Sequence, residues 1–187
     1  MNQHNETELL HGAQELNAGI LMEIYDLYRP GIFAYAYRLL GEANRAEDCV
    51  AETFTRFLKT LQSGGGPTNH LRSYLYRIAH NWITDCFRRE PMPMLELDEN
   101  FTSQLDDRME KLVEDNGEIN ELRFALRRLT EDQRMVITLR YIEGWETDQV
   151  AAAMKRPSGA IKALQHRALV ALRKLLSSIE VTDELST

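Results

Sequence analysis

Cysteine is nearly absent from this 187-residue chain: only Cys49 and Cys86 occur, far apart and with no other Cys or His nearby at metal-ligand spacing. That argues against a disulfide or a zinc site and leaves two buried thiols as the expectation. No run of about 18 apolar residues is present to span a bilayer. The opening MNQHNETELLHG has neither the basic nor the apolar segment of a secretory signal, so a cytoplasmic protein is expected. β-type alternation and internal repeats are missing as well. Apolar residues recur at helical spacing instead, which predicts an all-α fold. Enzyme signatures are wanting too. The glycine-rich SGGGPTN lacks the Gly-Lys-Ser or Gly-Lys-Thr and the preceding strand of a phosphate loop. His166 has no Ser, Cys or carboxylate companion at an interpretable spacing, so no catalytic residue, cofactor, metal or small-molecule substrate is expected.

The most informative absence is of acid. Between positions 156 and 176 the sequence RPSGAIKALQHRALVALRKLL carries five Lys or Arg and no carboxylate, in a chain of formal charge -7. Divided along the chain, the charge is -3 over 1–16, +2 over 17–89, -9 over 90–121, +6 over 122–177 and -3 over 178–187. Two basic blocks are thus separated by an acidic one.

The first block reads as helix in ILMEIYDLYRPGIFAYAYRLLG, with Pro30 and Gly31 as a joint and Gly41 as the stop, and again in AEDCVAETFTRFLKTL. QSGGGPTN interrupts the pattern, and Thr68 or Asn69 is a suitable cap for the next helix, HLRSYLYRIAHNWITDCFRR, which ends before Pro91. From 91 to 117 apolar residues are sparse and periodicity fades. A connection of that length favours a linker between two separate domains. In the second block LTEDQRMVITLRYIEG offers Thr130 and Gln133 as a capping box, an apolar stripe of Met135, Val136, Leu139 and Ile142, and Gly144 as the stop. ETDQVAAAM is a short helix, KRP a tight connection, and the basic stretch a long helix with Pro157 in its first turn. The expected division is a flexible N-terminus (1–16), a helical domain (17–90), an acidic flexible linker (91–117), a helix-turn-helix domain (118–178) and an acidic tail (179–187).

On the basic helix, Ile161, Leu164, Ala168, Leu172 and Leu175 form one apolar stripe, while Lys162, His166, Arg167 and Arg173 lie elsewhere. In a DNA major groove Lys162 and Arg167 would meet phosphates or guanine edges and Gln165 an adenine; a merely solvated basic face is the alternative. The preceding helix mixes arginines with aromatics, the combination that single-stranded DNA binding uses. Tyr74, Arg77, Asn81 and Arg88 share a stripe there, and Trp82 and Phe87 are expected in the core. A base drawn from a duplex would need a pocket beside that stripe, with the loop 63–69 as one wall. Asp48 and Glu52 stand at i and i+4 with Arg45 and Arg56 flanking. A protein partner and intrahelical pairing explain that arrangement equally well.

Taken together, the two blocks resemble the extracytoplasmic-function group of sigma-70-type RNA polymerase sigma factors. RAEDCVAETFTRFLKTL is similar to the family's region 2.2, LRSYLYRIAHNWITDCFRR to regions 2.3 and 2.4, and LTEDQRMVITLRYIEGWETDQVAAAMKRPSGAIKALQHRAL to regions 4.1 and 4.2, in that order. The resemblance implies that Asp48 and Glu52 meet the clamp helices of core polymerase and that Tyr74, Arg77, Asn81 and Arg88 engage the melted minus-ten element beside the loop 63–69. It assigns Lys162, His166 and Arg167 to the minus-thirty-five element, where the groove reading adds Gln165, and it implies contact of region 4 with the polymerase flap and control by an anti-sigma factor. The acidic linker, with Asp98, Glu99, Asp106 and Asp107, would thread toward the active centre in place of nucleic acid. Lys155, Pro157 and the pair Ala163-Leu164 depart from the family's usual glycine, serine and Ser-Arg. They leave the fold unchanged, and the promoter sequence does not carry over from the family. A helix-turn-helix regulator that is not a polymerase subunit, or an interaction protein that binds polymerase without DNA, are the other readings.

Overall fold

The computed structural model describes residues 5–89 and 117–184, all helix and connection with no strand among them. The expected linker lies almost wholly outside the described residues. The chain order is α1 (Glu6–Gln14), α2 (Ala18–Leu40), α3 (Ala43–Gln62), α4 (Leu71–Arg89), α5 (Gly117–Arg128), α6 (Glu131–Ile137) continuing into a π turn (Thr138–Ile142), α7 (Thr147–Met154) and α8 (Ser158–Glu184). No described helix is long and apolar enough to cross a membrane.

Helices α2, α3 and α4 pack on one another through stripes that recur every three or four residues: Ile32, Tyr35, Ala36 and Leu39 on α2, Cys49, Val50, Phe54, Phe57 and Leu61 on α3, Leu75, Ala79 and Ile83 on α4. Two expectations change here. Pro30 does not break α2, which runs through it. Pro30 is exposed, so the carbonyl it leaves without a partner faces water, while the buried residues on the other side hold the helix together. Gly31 is a place of close approach instead of a joint, because a Cβ there would sit 2.6 Å from the Tyr76 hydroxyl on α4. Gly41 does end α2, in the left-handed conformation at φ 81°.

The N-terminal stretch, expected to be flexible, forms α1 and buries Leu9, Leu10 and Ala13 against the core. Its Glu6 carboxylate accepts the Leu71 backbone N–H at 2.6 Å, so the start of α4 is served from 65 residues away and not by Thr68 or Asn69. At the other end α8 continues to Glu184, through most of the expected tail.

In the second block Thr130 and Gln133 form the expected capping box and Gly144 is left-handed at φ 67°. The turn between them is π-wound: the Glu143 N–H reaches the Thr138 carbonyl at 2.9 Å. Lys155 closes α7 in the left-handed conformation, φ 53°, ψ 45°, and the Pro157 carbonyl accepts the first N–H bonds of α8.

The two blocks pack against each other. Helix α4 packs against α7 and α2 against α5, and the buried side chains of both blocks belong to one hydrophobic cluster. Trp145, just after Gly144, is 1% exposed and packs 4.9 Å from the Tyr76 ring.

Candidate nucleic-acid interface

The buried row of α8 is Ile161, Leu164 and Ala168, with Leu172 and Leu175 half-buried behind them. With that face turned inward, helical geometry sends Lys162, His166 and Arg167 outward, and all three are exposed. No ion pair or side-chain hydrogen bond holds them to another described residue. Gln165 differs: it is half-buried and its Nε2 donates to the Tyr141 hydroxyl at 2.6 Å. At the mouth of the helix-turn-helix, Ser158 Oγ donates to Asp148 at 2.6 Å and Arg156 pairs with Asp132, which ties α7 and α8 to the start of α6. The result is a helix that presents Lys162, His166 and Arg167 outward, with no partner among the described residues.

The α4 stripe is also brought together. The Arg77 guanidinium lies 5.1 Å from the centroid of the Tyr74 ring, and Tyr74 in turn packs 6.1 Å from Phe57. Arg77 and Asn81 line a cavity of about 130 Å³, whose other walls are His80 and, from the second block, Glu131, Asp132, Met135, Ala153, Met154 and Arg156. The loop 63–69 does not line this cavity. Arg88 pairs with Glu131, so the stripe runs into the second block. Trp82 and Phe87 are half-buried against the core as anticipated, and Phe87 is flanked by the guanidiniums of Arg127 (4.9 Å) and Arg134 (4.7 Å).

Beneath this face lies a buried polar cluster that periodicity gave no sign of. His80 is 3% exposed, with Nδ1 2.7 Å from the Tyr35 hydroxyl. Burial, and then the Arg134 charge, push its pKa down to about 3, so it is neutral. Arg134, itself 3% exposed, donates to Thr84 Oγ1 at 3.2 Å and to the Arg127 and Leu129 carbonyls at 3.4 Å; burial lowers its pKa. These bonds stitch α4 to α6 across the block boundary. Burial likewise raises the Tyr35 hydroxyl well above its ordinary range and the Cys49 thiol to about 12, which leaves that cysteine an unreactive core residue.

On α3 the two acids part company. Glu52 accepts from Arg56 Nε at 2.7 Å, the intrahelical arrangement, whereas Asp48 is exposed and Arg45 lies 3.6 Å from Glu42 instead. What the sequence missed is Trp145, Glu131 and Tyr141. A Trp beside a helix-stopping Gly was the one available signal.

Two family models match the chain: Sigma-70 region 2 over residues 24–91 and Sigma-70, region 4 over residues 125–174. The chain is 31% identical over 176 residues to the ECF RNA polymerase sigma factor BldN of Streptomyces coelicolor, a match covering 90% of this chain and 65% of BldN. It is 30% identical over 175 residues to the ECF RNA polymerase sigma factor SigL of Mycobacterium tuberculosis, covering 91% of this chain and 97% of SigL. Among solved structures, that of CnrH in complex with the cytosolic domain of CnrY shares the fold, with a TM-score of 0.64 at 21% identity over 92% of this chain and 97% of that one.

Proposed function

The chain belongs to the extracytoplasmic-function RNA polymerase sigma factors, and from that premise we propose that it binds core RNA polymerase and directs initiation at promoters read at two elements. The observation that carries this reading is the joint presence, in order, of a region 2 match and a region 4 match whose basic helix leaves Lys162, His166 and Arg167 outward and unpartnered. A helix-turn-helix regulator would need only the second of these. The work is that of a specificity subunit in the cytoplasm and not of an enzyme.

In this reading α8 docks in the major groove of the minus-thirty-five element. Lys162 and Arg167 neutralise phosphates or meet guanine, and Gln165 meets adenine. Tyr74, Arg77, Asn81 and Arg88 receive the melted minus-ten strand, with guanidiniums for phosphate and the Tyr74 ring for stacking. Asp48, exposed and unpaired, is the better supported of the two acids for the clamp helices of core polymerase, since Glu52 is already held by Arg56. Region 4 meets the flap.

The packing of α4 against the second block adds a step. Arg77 and Asn81 face a cavity walled by α6 and α7, and Arg88 is taken by Glu131, so the blocks must part before a strand lies along α4. Polymerase binding, by holding the two blocks apart on separate surfaces, would supply that separation. An anti-sigma factor that favours the closed pairing would oppose it.

In vitro transcription with purified core polymerase tests the reading: promoter-dependent RNA from a genomic template library is expected only when the chain is added. Folded chain that supports no initiation from any template sinks it.

A further inference from the structure

We propose that Tyr141 is a positioning residue that holds the Gln165 carboxamide for base readout; the inference rests on the reading of α8 as the minus-thirty-five helix. Tyr141 is 53% exposed, a large aromatic that the core does not claim, and its hydroxyl accepts the Gln165 Nε2 hydrogen at 2.6 Å. It projects from the π-wound turn Thr138–Ile142, a departure from α geometry that recurs at functional sites. Gln165 sits between Lys162, one turn earlier, and the neighbouring His166, both exposed, so the bond lies on the flank of the outward basic row.

The chemistry decides what such a bond does. A free glutamine side chain turns its carboxamide over readily, presenting oxygen or nitrogen to the same place. Bidentate recognition of adenine needs one orientation only, with Oε1 accepting from N6 and one Nε2 hydrogen donating to N7. With the other Nε2 hydrogen given to Tyr141, as the structure has it, neither group that adenine needs is consumed and the side chain loses rotamer freedom before DNA arrives. Tyr141 thus tunes preference at one base pair without adding charge to the interface.

The test uses the full-length chain and a pool of random-sequence duplex DNA, selected and sequenced for wild type, Tyr141→Phe, Gln165→Ala and the double variant. Gln165→Ala is expected to lose at least about fivefold preference at a single position, the lower end of what a bidentate side chain supplies. Tyr141→Phe is expected to lose preference at that same position and no other, the double variant to match Gln165→Ala, and the salt slope of binding to stay unchanged in all. If Gln165→Ala alters a position that Tyr141→Phe leaves intact, or Tyr141→Phe weakens all sequences alike, the positioning role is overturned. If Gln165→Ala alters no position, while Lys162→Ala still weakens binding, Gln165 reads no base and the inference fails with α8 still a DNA helix. Failure of both Gln165→Ala and Lys162→Ala to affect binding removes the α8 reading itself.

Discussion

The Arg72 guanidinium of α4 lies 4.5 Å from the centroid of the Trp145 ring and 5.5 Å from that of Tyr76, so one cation covers an aromatic from each block. Trp145 is buried whereas Arg72 is exposed, which separates their energetic weights. Trp145→Ala is expected to cost about 3–5 kcal/mol through the void it leaves, and Arg72→Ala about 0.5–1 kcal/mol for an exposed cation–π contact. Urea unfolding measures both. Equal losses would mean that the blocks do not pack through Trp145 in solution.

Glu131 holds Arg88 of the α4 stripe, and both side chains are partly solvated. Glu131→Gln removes an internal competitor for phosphate. The free chain is expected to bind a single-stranded minus-ten oligonucleotide about two- to fivefold more tightly at low salt, the scale of an exposed ion pair. Fluorescence anisotropy reads this directly, and a weaker or unchanged affinity would show that Glu131 does not compete.

His80 gives the fold a pH dependence of fixed sign. Its pKa in the folded chain, about 3, lies below the ordinary value of 6.5, so folding favours the neutral ring. That stability is complete above pH 6.5 and is lost as pH falls from there toward 3, on the order of 2 kcal/mol by pH 5. The groups facing it are Tyr35 on α2, Arg134 on α6 and the Glu131 backbone, and the Arg134 charge adds to the penalty. His80→Gln should flatten the loss between pH 6.5 and 5 in denaturant titrations, where most carboxylates are already ionised. An identical slope in the variant would assign the pH dependence elsewhere.

Lys155 occupies the left-handed region with a full side chain, at φ 53°. Lys155→Gly relieves a strain of about 1 kcal/mol and is expected to raise the urea midpoint accordingly without changing its slope. A lowered midpoint would mean that contacts of the lysine outweigh the strain.

Lys162 is exposed and unpaired on the outward side of α8. If it meets a phosphate, Lys162→Ala lowers the slope of log affinity against log salt for minus-thirty-five duplex by about one unit. An unchanged slope excludes the contact.

By itself the sequence determined the helices and the family. Apolar spacing in α3, α4 and α8, the Thr130 and Gln133 cap and the Gly41 and Gly144 stops are local signals, each set by residues within a turn or two of one another. The outward row of Lys162, His166 and Arg167 followed in the same way, because burying Ile161, Leu164 and Ala168 fixes the opposite face. Pro30 misled, since whether a proline breaks a helix depends on what the rest of the helix buries. Only the tertiary structure decided that Glu6 serves the start of α4, that Trp145 and Arg134 join the blocks, and that Arg77 and Asn81 face a cavity walled by the second block. Those relations join residues dozens of positions apart. They arise from which apolar faces meet, and neither periodicity nor charge along the chain encodes that pairing.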